Sequence, residues 1–249
     1  MPATAGGMRG RVTLRDVAER VGVHPSTVSR VLNPRTRDMV TADIAKRVTE
    51  AAQRLGYSPN PFALSLKTNR SYLVGVLVPD LVNPIFPPII RGIESTLEGA
   101  GYTAIIANSD NQPERERLIL ERMKARQVDG LILATAHRDD SLIAQCIEQK
   151  DPLVLINRTI EGTAVHAVVN EDRKAMLLPV NHVASLGHTH IAHLAGPQSL
   201  STGLRRLQGF RDAMKANELK ADPKLIAECA AFAEEEGLRA TRSLLKGHT

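Results

Sequence analysis

The chain has 249 residues, and its 43% apolar content is enough to bury a sizeable core in more than one domain. Its longest apolar runs, Tyr72–Val78 and Leu131–Ala134, are far shorter than the ~20 residues that cross a bilayer. No apolar stretch follows Arg9 and Arg11 near the N-terminus, as a secretory signal requires. The sequence therefore predicts a cytoplasmic protein that does not enter the membrane.

Positive charge is concentrated at the N-terminal end. The net charge is +5, but residues 1–70 hold 12 Lys and Arg against 5 Asp and Glu, whereas residues 71–249 hold 20 against 22. Phosphate contacts supply affinity electrostatically, so a small basic module joined to a near-neutral larger one suits a nucleic-acid binder with a second function. A basic face exposed only to solvent is the alternative at this point.

Two short amphipathic helices are predicted near the start of the chain. Apolar residues repeat at helical spacing from Leu14, with Thr13 as a candidate N-cap and Gly22 at the helix end. After a tight turn, Pro25 suits the first position of a second helix, which ends at Asn33.

A third helix is predicted between a capping Thr41 and Gly56, and three helices of this size fit a helix-turn-helix unit. In such units the N-terminal, outward residues of the second helix touch base edges in the major groove. Here those residues are His24, Pro25, Ser26, Thr27, Ser29 and Arg30. Arg can bind guanine or phosphate, and hydroxyls serve phosphates or bases, although an ordinary solvated helix face has the same composition.

Beyond a linker that contains one conditional short helix, strands alternate with helices. The predicted strands are Tyr72–Val78, Thr103–Ala107, Gly130–Leu133, Leu153–Ile156, Ile191–Ala195 and Leu225–Cys229. The predicted helices are Pro87–Ala100, Glu114–Arg126, Ser141–Gln149, Arg173–Leu186, Leu204–Ala216 and Glu234–Lys246. This alternation predicts a parallel sheet covered on both faces.

Several segments resemble the LacI-type family of bacterial transcriptional repressors. They are VTLRDVAERVGVHPSTVSRVLN, RLGYSPN, GLILAT, LVLINR, LGHTHIAHLAGP and STGLRRLQGFRDAM, and the similarity runs from about Val12 to about Leu245. The resemblance implies a multidomain α+β fold, in which a helix-turn-helix headpiece (12–58) follows a flexible tail (1–11). A hinge (59–70) then leads to an α/β sensor (71–249) like periplasmic sugar-binding proteins, with two doubly wound subdomains (about 71–169 and 170–249).

The resemblance also implies a function: a homodimeric repressor that binds a near-palindromic operator and responds to a small effector such as a sugar. Family members usually continue for about ninety residues beyond the position of Thr249. We therefore expect a C-terminally truncated chain whose second subdomain is incomplete and has exposed apolar helix faces. A chain that keeps the headpiece but lacks effector response is one alternative. A sugar-binding protein without DNA function is another.

Carried over by position, the resemblance implies a set of DNA contacts in the headpiece. Thr13 and Leu14 approach the DNA backbone, and Ser29 and Arg30 make contacts common to the family. Pro25 and Ser26 stand at the two sequence-discriminating places. Asn33, Tyr57 and Asn60 help to hold phosphates.

Two further residues belong to the hinge, where Leu66 occupies the position of a minor-groove wedge and Lys67 lies beside the backbone. His24 departs from the family, which usually has a capping Ser there. Because a neutral His caps poorly, we expect a less stable helix end, or a phosphate contact by His24 instead.

Effectors of open parallel sheets bind at the carboxyl ends of the strands. The candidate effector-binding residues are therefore Asn83, Phe86, Asn157, Arg158, Arg206 and Phe232. Arg206 and Asn157 would hydrogen-bond ligand oxygens, and an aromatic ring would stack on a sugar face. A turn at Asn83 and a core position for Phe232 are the alternatives.

No cofactor, metal or catalytic site is predicted. The sequence contains no GxGxxG, P-loop or GxSxG motif, which leaves an enzyme of doubly wound fold with little support. The one dense histidine group, His182, His188, His190 and His193, lies in a segment that the family uses as a helix end and turn. The two cysteines, Cys146 and Cys229, are expected to be reduced and buried.

Overall fold

The computed structural model describes residues 12–33, 36–58 and 69–246. The chain forms two compact units that divide between Ser71 and Tyr72. The predicted tail, residues 1–11, and most of the predicted hinge, residues 59–68, lie outside the described residues.

In its described residues, the first unit contains the helices α1 (Leu14–Val21), α2 (Pro25–Leu32) and α3 (Ala42–Leu55), with a 3-10 turn at Arg37–Met39. Their apolar faces meet in one core, in which Val17, Val28 and Val48 have no exposed surface. The chain reverses sharply after α1 because Gly22 adopts a left-handed conformation with φ 72°. The predicted helix-turn-helix unit is thereby confirmed.

The caps of α1 and α3 differ from one another. Thr13 forms the predicted N-cap, and with Asp16 it makes a reciprocal capping box. Thr41 precedes α3 as predicted, but its side chain makes no capping hydrogen bond. The Arg47 guanidinium instead supports α3, because Nη2 donates to the Val21 carbonyl oxygen at 2.8 Å and ties α3 to the end of α1.

The second unit is an α/β structure with strands and helices in strict alternation through its first part. In chain order they are β1 (Leu73–Val78), α4 (Phe86–Gly99), β2 (Thr103–Asn108), α5 (Pro113–Ala125), β3 (Gly130–Leu133), α6 (Ser141–Glu148), β4 (Leu153–Ile156) and β5 (Ala167–Val168). There follow α7 (Asp172–Ala175), α8 (Leu177–Ser185), β6 (His193–Ala195), α9 (Ser201–Ala216), a 3-10 turn at Pro223–Leu225, β7 (Ile226–Glu228) and α10 (Glu234–Lys246).

The first five strands form one parallel sheet in the order β2-β1-β3-β4-β5. Both faces of this sheet are covered. Val76 and Val78 of β1 pack against Phe86 of α4, whereas Leu77 belongs to the cluster on the other face with Leu120 of α5. The predicted parallel sheet with helices on both sides is confirmed.

Strands β6 and β7 form a second, two-stranded parallel sheet. A separate cluster of Val180, Phe210, Ala213 and Met214 forms the core of this part. Leu178 on α8 and Leu186, which follows that helix, are 76% and 65% exposed, as expected for an apolar surface in this part.

Several predicted boundaries are wrong. The single predicted helix Arg173–Leu186 is two helices that divide at Met176, because Pro179 lacks an N–H and its ring would clash with the Ala175 carbonyl. Helix α9 begins at Ser201, three residues before its predicted start. Strands β6 and β7 are each shorter than predicted, and β5 has only two exposed residues and was not predicted. Among the residues that the structure describes, no helix combines the length and apolar character needed to span a membrane.

Candidate DNA-binding surface and effector cleft

One face of α2 presents a polar surface. Val28 and Val31 are buried in the headpiece core, whereas Ser26 and Arg30, one turn apart, are exposed. Thr27 and Ser29 are half-buried on the same helix. Within the described parts of the chain, no ion pair or hydrogen bond engages the Arg30 guanidinium. The surface therefore offers one available cation and three hydroxyls along one face of a helix that can enter a groove.

His24 caps α2, which corrects the expectation of a poor cap. Its Nδ1 accepts a hydrogen bond from the Ser26 backbone N–H at 3.2 Å and lies 2.8 Å from Ser26 Oγ. Pro25 at the first helical position has no N–H to satisfy, so the first orphan donor of the helix is that of Ser26. An imidazole at this position reaches that donor as a Ser or Asn side chain does elsewhere.

The other predicted DNA-contacting residues of the headpiece lie at or next to the ends of its helices. The Thr13 hydroxyl donates to Asp16 Oδ2 at 2.9 Å in the capping box. Leu14 and Tyr57 are half-buried against the core, and Asn33 ends α2. Asn60, Leu66 and Lys67 lie outside the described residues.

Two predicted effector residues follow directly after β4, at the carboxyl edge of the large sheet. Asn157 adopts a left-handed conformation with φ 63°, and its Oδ1 is buried with no hydrogen-bond partner in the described chain. Arg158 is 6% exposed, and its Nε is likewise buried and unpartnered there. Strained backbone and unsatisfied buried polar atoms are uncommon in folded proteins and concentrate at functional sites.

Glu116 supplies a negative charge near Arg158. Its carboxylate is buried in the first turn of α5 and accepts a hydrogen bond from the Thr135 hydroxyl, which lies just beyond β3. Burial raises the pKa of Glu116, and the charge of Arg158 partly opposes that rise. Burial also lowers the pKa of the Arg158 guanidinium to about 10, with the charge of Glu116 opposing that change, so Arg158 keeps its charge at neutral pH.

Helix α9 carries the other predicted charged residue. The Arg206 Nε donates to Asp172 Oδ1 at 2.7 Å, and the Asp172 side chain is only 6% exposed. The Arg206 guanidinium also lies over the Phe232 ring, with 5.6 Å between Cζ and the ring centroid. The structure thus brings Arg206 and Phe232 together, and it adds Asp172, which sequence reasoning missed.

The end of β4 and the start of α9 are joined directly. The Thr159 N–H donates to Ser201 Oγ at 3.0 Å. Thr202, the next residue of α9, has a buried hydroxyl without a hydrogen-bond partner in the described chain. Thr202 was missed by sequence reasoning, because a threonine in a helix carries no sign that it will be buried and unpaired.

The loop that carries Phe232 is fixed by α10. Glu236 Oε2 accepts from the Ala230 N–H at 2.8 Å, and Arg239 binds both oxygens of that carboxylate at 2.9 and 3.1 Å. These two contacts lower the pKa of Glu236 to about 2. Phe232 itself packs so closely on Gly196 that a Cβ there would overlap its ring.

The structure does not favour the remaining effector predictions. Asn83 forms the turn before α4, with its Oδ1 accepting from the Ile85 N–H at 3.2 Å. Phe86 is 1% exposed and fills the core against Val76 and Val78, so its ring has no accessible face. Among the described residues, no group of three or more His, Cys, Asp or Glu side chains is placed to hold a metal ion.

Comparison with known proteins gives matches over nearly all of the chain. Residues 13–60 match the family described as "Bacterial regulatory proteins, lacI family". Residues 71–248 match "Periplasmic binding proteins and sugar binding domain of LacI family". A helix-turn-helix unit followed by an α/β sugar-binding-type domain thus defines the class, that of bacterial regulatory proteins with a DNA-binding and a sensor part.

Curated relatives agree with these matches. The ribose operon repressor of Halalkalibacterium halodurans is 32% identical over 237 residues, which cover 95% of this chain and 68% of that protein. The transcriptional repressor CytR of Escherichia coli K12 is 32% identical over 234 residues, which cover 94% and 67%. The chain therefore spans about two thirds of the length of these two relatives.

Solved structures are similar as well. The lac repressor dimer bound to operator and the anti-inducer ONPF is 27% identical with a TM-score of 0.80, and the match covers 96% of this chain and 71% of that one. The transcriptional regulator CelR in complex with cellobiose is 29% identical with a TM-score of 0.64, covering 95% and 71%. The chain belongs to the LacI family. Its matched relatives are transcriptional regulators, so the prediction that it is not an enzyme is confirmed.

Proposed function

We propose that the chain is a sequence-specific transcriptional repressor that binds operator DNA through its headpiece. The observation that carries this proposal is the exposed face of α2, where Ser26 and Arg30 project from a helix whose opposite face is buried. The +7 charge of residues 1–70 supports it, because a basic module gains affinity for phosphates. The relatives named above are repressors, and one structural neighbour is bound to operator.

The repressor acts as a homodimer in the bacterial cytoplasm. One recognition helix reads only a few base pairs, so two headpieces related by a two-fold axis are needed for a specific, near-palindromic site. The operator complex of the lac repressor is that of a dimer. A cytoplasmic location suits a protein whose ligand is chromosomal DNA.

The sensor binds a small polyhydroxy metabolite, of which a sugar is the leading class. Asn157 Oδ1, Arg158 Nε and Thr202 Oγ1 are buried and lack partners within the described chain, and such unsatisfied polar atoms near the carboxyl edge of the sheet support a polar ligand site there. Arg206 adds a cation whose direction is fixed by Asp172, and Phe232 adds an aromatic face next to it. The cellobiose complex of CelR shows a sugar bound by a similar protein.

The test is a selection of DNA by the full chain. Random duplexes are titrated with the protein at moderate salt, and the retained pool is sequenced. We expect a two-fold symmetric site, whereas unselective binding that falls steeply with salt contradicts the proposal.

Variants of Arg30 test whether this residue contacts a base in the operator. Arg30→Ala should weaken binding to the selected site by about 1–3 kcal/mol and relax one base position in each half-site. Arg30→Lys keeps the charge but loses the planar donor pair, so it should relax the same position with a smaller loss of affinity. Arg122→Ala, which removes one exposed charge from the second unit, is the matched control and should change neither result.

A further inference from the structure

At the N-terminus of α2, His24 contacts both the backbone N–H and the hydroxyl of Ser26. The Ser26 N–H donates to His24 Nδ1 at 3.2 Å, and we assign from this contact the tautomer with a lone pair on Nδ1 and the proton on Nε2. Ser26 Oγ lies 2.8 Å from the same Nδ1. Since Nδ1 has no hydrogen, the Ser26 hydroxyl is the donor in this contact.

This contact consumes the only hydrogen that the Ser26 hydroxyl has. A serine hydroxyl carries one donor hydrogen and two acceptor lone pairs. When the hydrogen points at His24, the oxygen can present only lone pairs to an approaching DNA duplex. A free serine, by contrast, rotates its hydrogen to suit either a donor or an acceptor on the DNA.

We propose that His24 is a specificity-determining residue, which acts through Ser26 by making its hydroxyl an obligate acceptor. The proposal rests on the proposed operator-binding function. In the major groove, adenine N6 and cytosine N4 offer donors, whereas guanine O6 and N7 and thymine O4 are acceptors. Ser26 therefore selects adenine or cytosine on the strand it faces and rejects guanine and thymine.

Neither Pro25 nor Arg30 can replace the acceptor that Ser26 provides. Pro25 has no donor or acceptor in its side chain, so it cannot compensate for a wrong base. Arg30 lies one turn after Ser26 on the exposed face and carries donors only. The helix thus offers an acceptor at its N-terminus and a donor fork one turn later, and this pairing predicts adenine or cytosine near a guanine in each half-site.

The test compares base preferences after selection from random duplexes with the full chain. The key variant is His24→Gly, because glycine is accepted at the N-cap position and so removes the acceptor with little effect on the helix. His24→Asn is the rescue variant, since its Oδ1 accepts at an N-cap as Nδ1 does here. His182→Ala, which removes an exposed histidine from α8, is the matched control.

The unmodified chain should prefer adenine or cytosine at one position of each half-site by about 5-fold, the effect of one net hydrogen bond. His24→Asn and His182→Ala should keep this preference. His24→Gly should lose it while the preference at the Arg30 position remains, and Ser26→Ala should lose it too. Retention of the Arg30 position shows that the headpiece is still folded.

Two results distinguish a failure of this inference from a failure of the proposed operator binding. If His24→Gly or Ser26→Ala selects the same bases as the unmodified chain, His24 does not set specificity through Ser26, although operator binding stands. If the unmodified chain selects no sequence at all, operator binding is wrong and the inference falls with it.

Discussion

The contact between α9 and α7 depends on the absence of a side chain at Gly209. A Cβ at this position would lie 2.9 Å from the Arg173 Cα and closer still to the Arg173 carbonyl oxygen. Both atoms belong to the backbone of α7, so they cannot rotate away as a flexible side chain does. Gly209→Ala should therefore push the two helices apart.

The magnitude follows from two opposing effects. Alanine is favoured over glycine inside a helix by about 1 kcal/mol, whereas forcing an extra group into a packed contact costs about 1–3 kcal/mol. Because the added Cβ would overlap backbone atoms, the cost falls in the upper part of that range, about 2–3 kcal/mol, and we expect Gly209→Ala to lower the free energy of unfolding by about 1–2 kcal/mol. Gly92 in α4 is the matched control, because nothing lies within 4 Å of a Cβ built there. Gly92→Ala should raise the free energy of unfolding by about 0.5–1 kcal/mol.

The assay is urea unfolding of the three proteins followed by circular dichroism. Arg206 lies one turn before Gly209 and binds Asp172 of α7, so sugar binding by Gly209→Ala should weaken together with stability. If both alanine variants are stabilised to the same extent, the close approach of α9 to α7 does not exist and this reasoning is refuted.

Three further predictions concern charged and aromatic groups of the second unit. Burial raises the pKa of Glu116, so its contribution to stability is present below the ordinary glutamate pKa and is lost as pH rises through the raised value. The free energy of unfolding of Glu116→Gln, relative to that of the unmodified chain, should therefore rise between about pH 4 and about pH 8. A difference that does not change with pH contradicts this. Burial lowers the pKa of His193, so the folded protein loses stability as pH falls below the pKa of an unfolded histidine. The free energy of unfolding of His193→Phe, relative to that of the unmodified chain, should therefore rise as pH falls from about 8 to about 5. A gain that is the same at both ends of that range argues against it. The chain has four phenylalanines, so labelling with 4-fluorophenylalanine allows the Phe232 signal to be assigned and followed by fluorine NMR. Glu236→Gln should shift that signal and Glu235→Gln, at an exposed neighbouring site, should not, whereas equal shifts would show that the Glu236 carboxylate does not hold the loop.

The order of helices and strands could be predicted because it follows from local patterns of apolar residues. Apolar spacing placed α1 to α3, with glycines at the ends of α1 and α3, and buried apolar runs between helices placed β1 to β4. The break at Met176 has a local cause, because Pro179 cannot continue a helix without a steric clash. It was missed because the apolar spacing continues on both sides of the break. Strand β5 had no local signal, because its two residues are exposed and are held only by pairing with β4.

The candidate site was less accessible to sequence reasoning than the fold. Arg206 and Asn157 were found from the segments that carry them, but the partner that orients Arg206 is Asp172, 34 residues earlier in the chain. Likewise, the His24 cap depends on the direction of one ring nitrogen, and Thr202 matters only because tertiary packing buries its hydroxyl. Such long-range or orientation-dependent contacts have no periodic signature in a single sequence.

The central claim is that one chain couples a sugar site to an operator-reading surface. The most direct measurement is a fluorescence-anisotropy titration of a selected duplex with the full chain, at fixed salt, with and without each member of a panel of sugars. At least one sugar should change the Kd for the duplex by about 5- to 150-fold, and Arg206→Ala should abolish that change without altering the Kd measured in its absence. A Kd that stays the same with every sugar in the panel would contradict the claim.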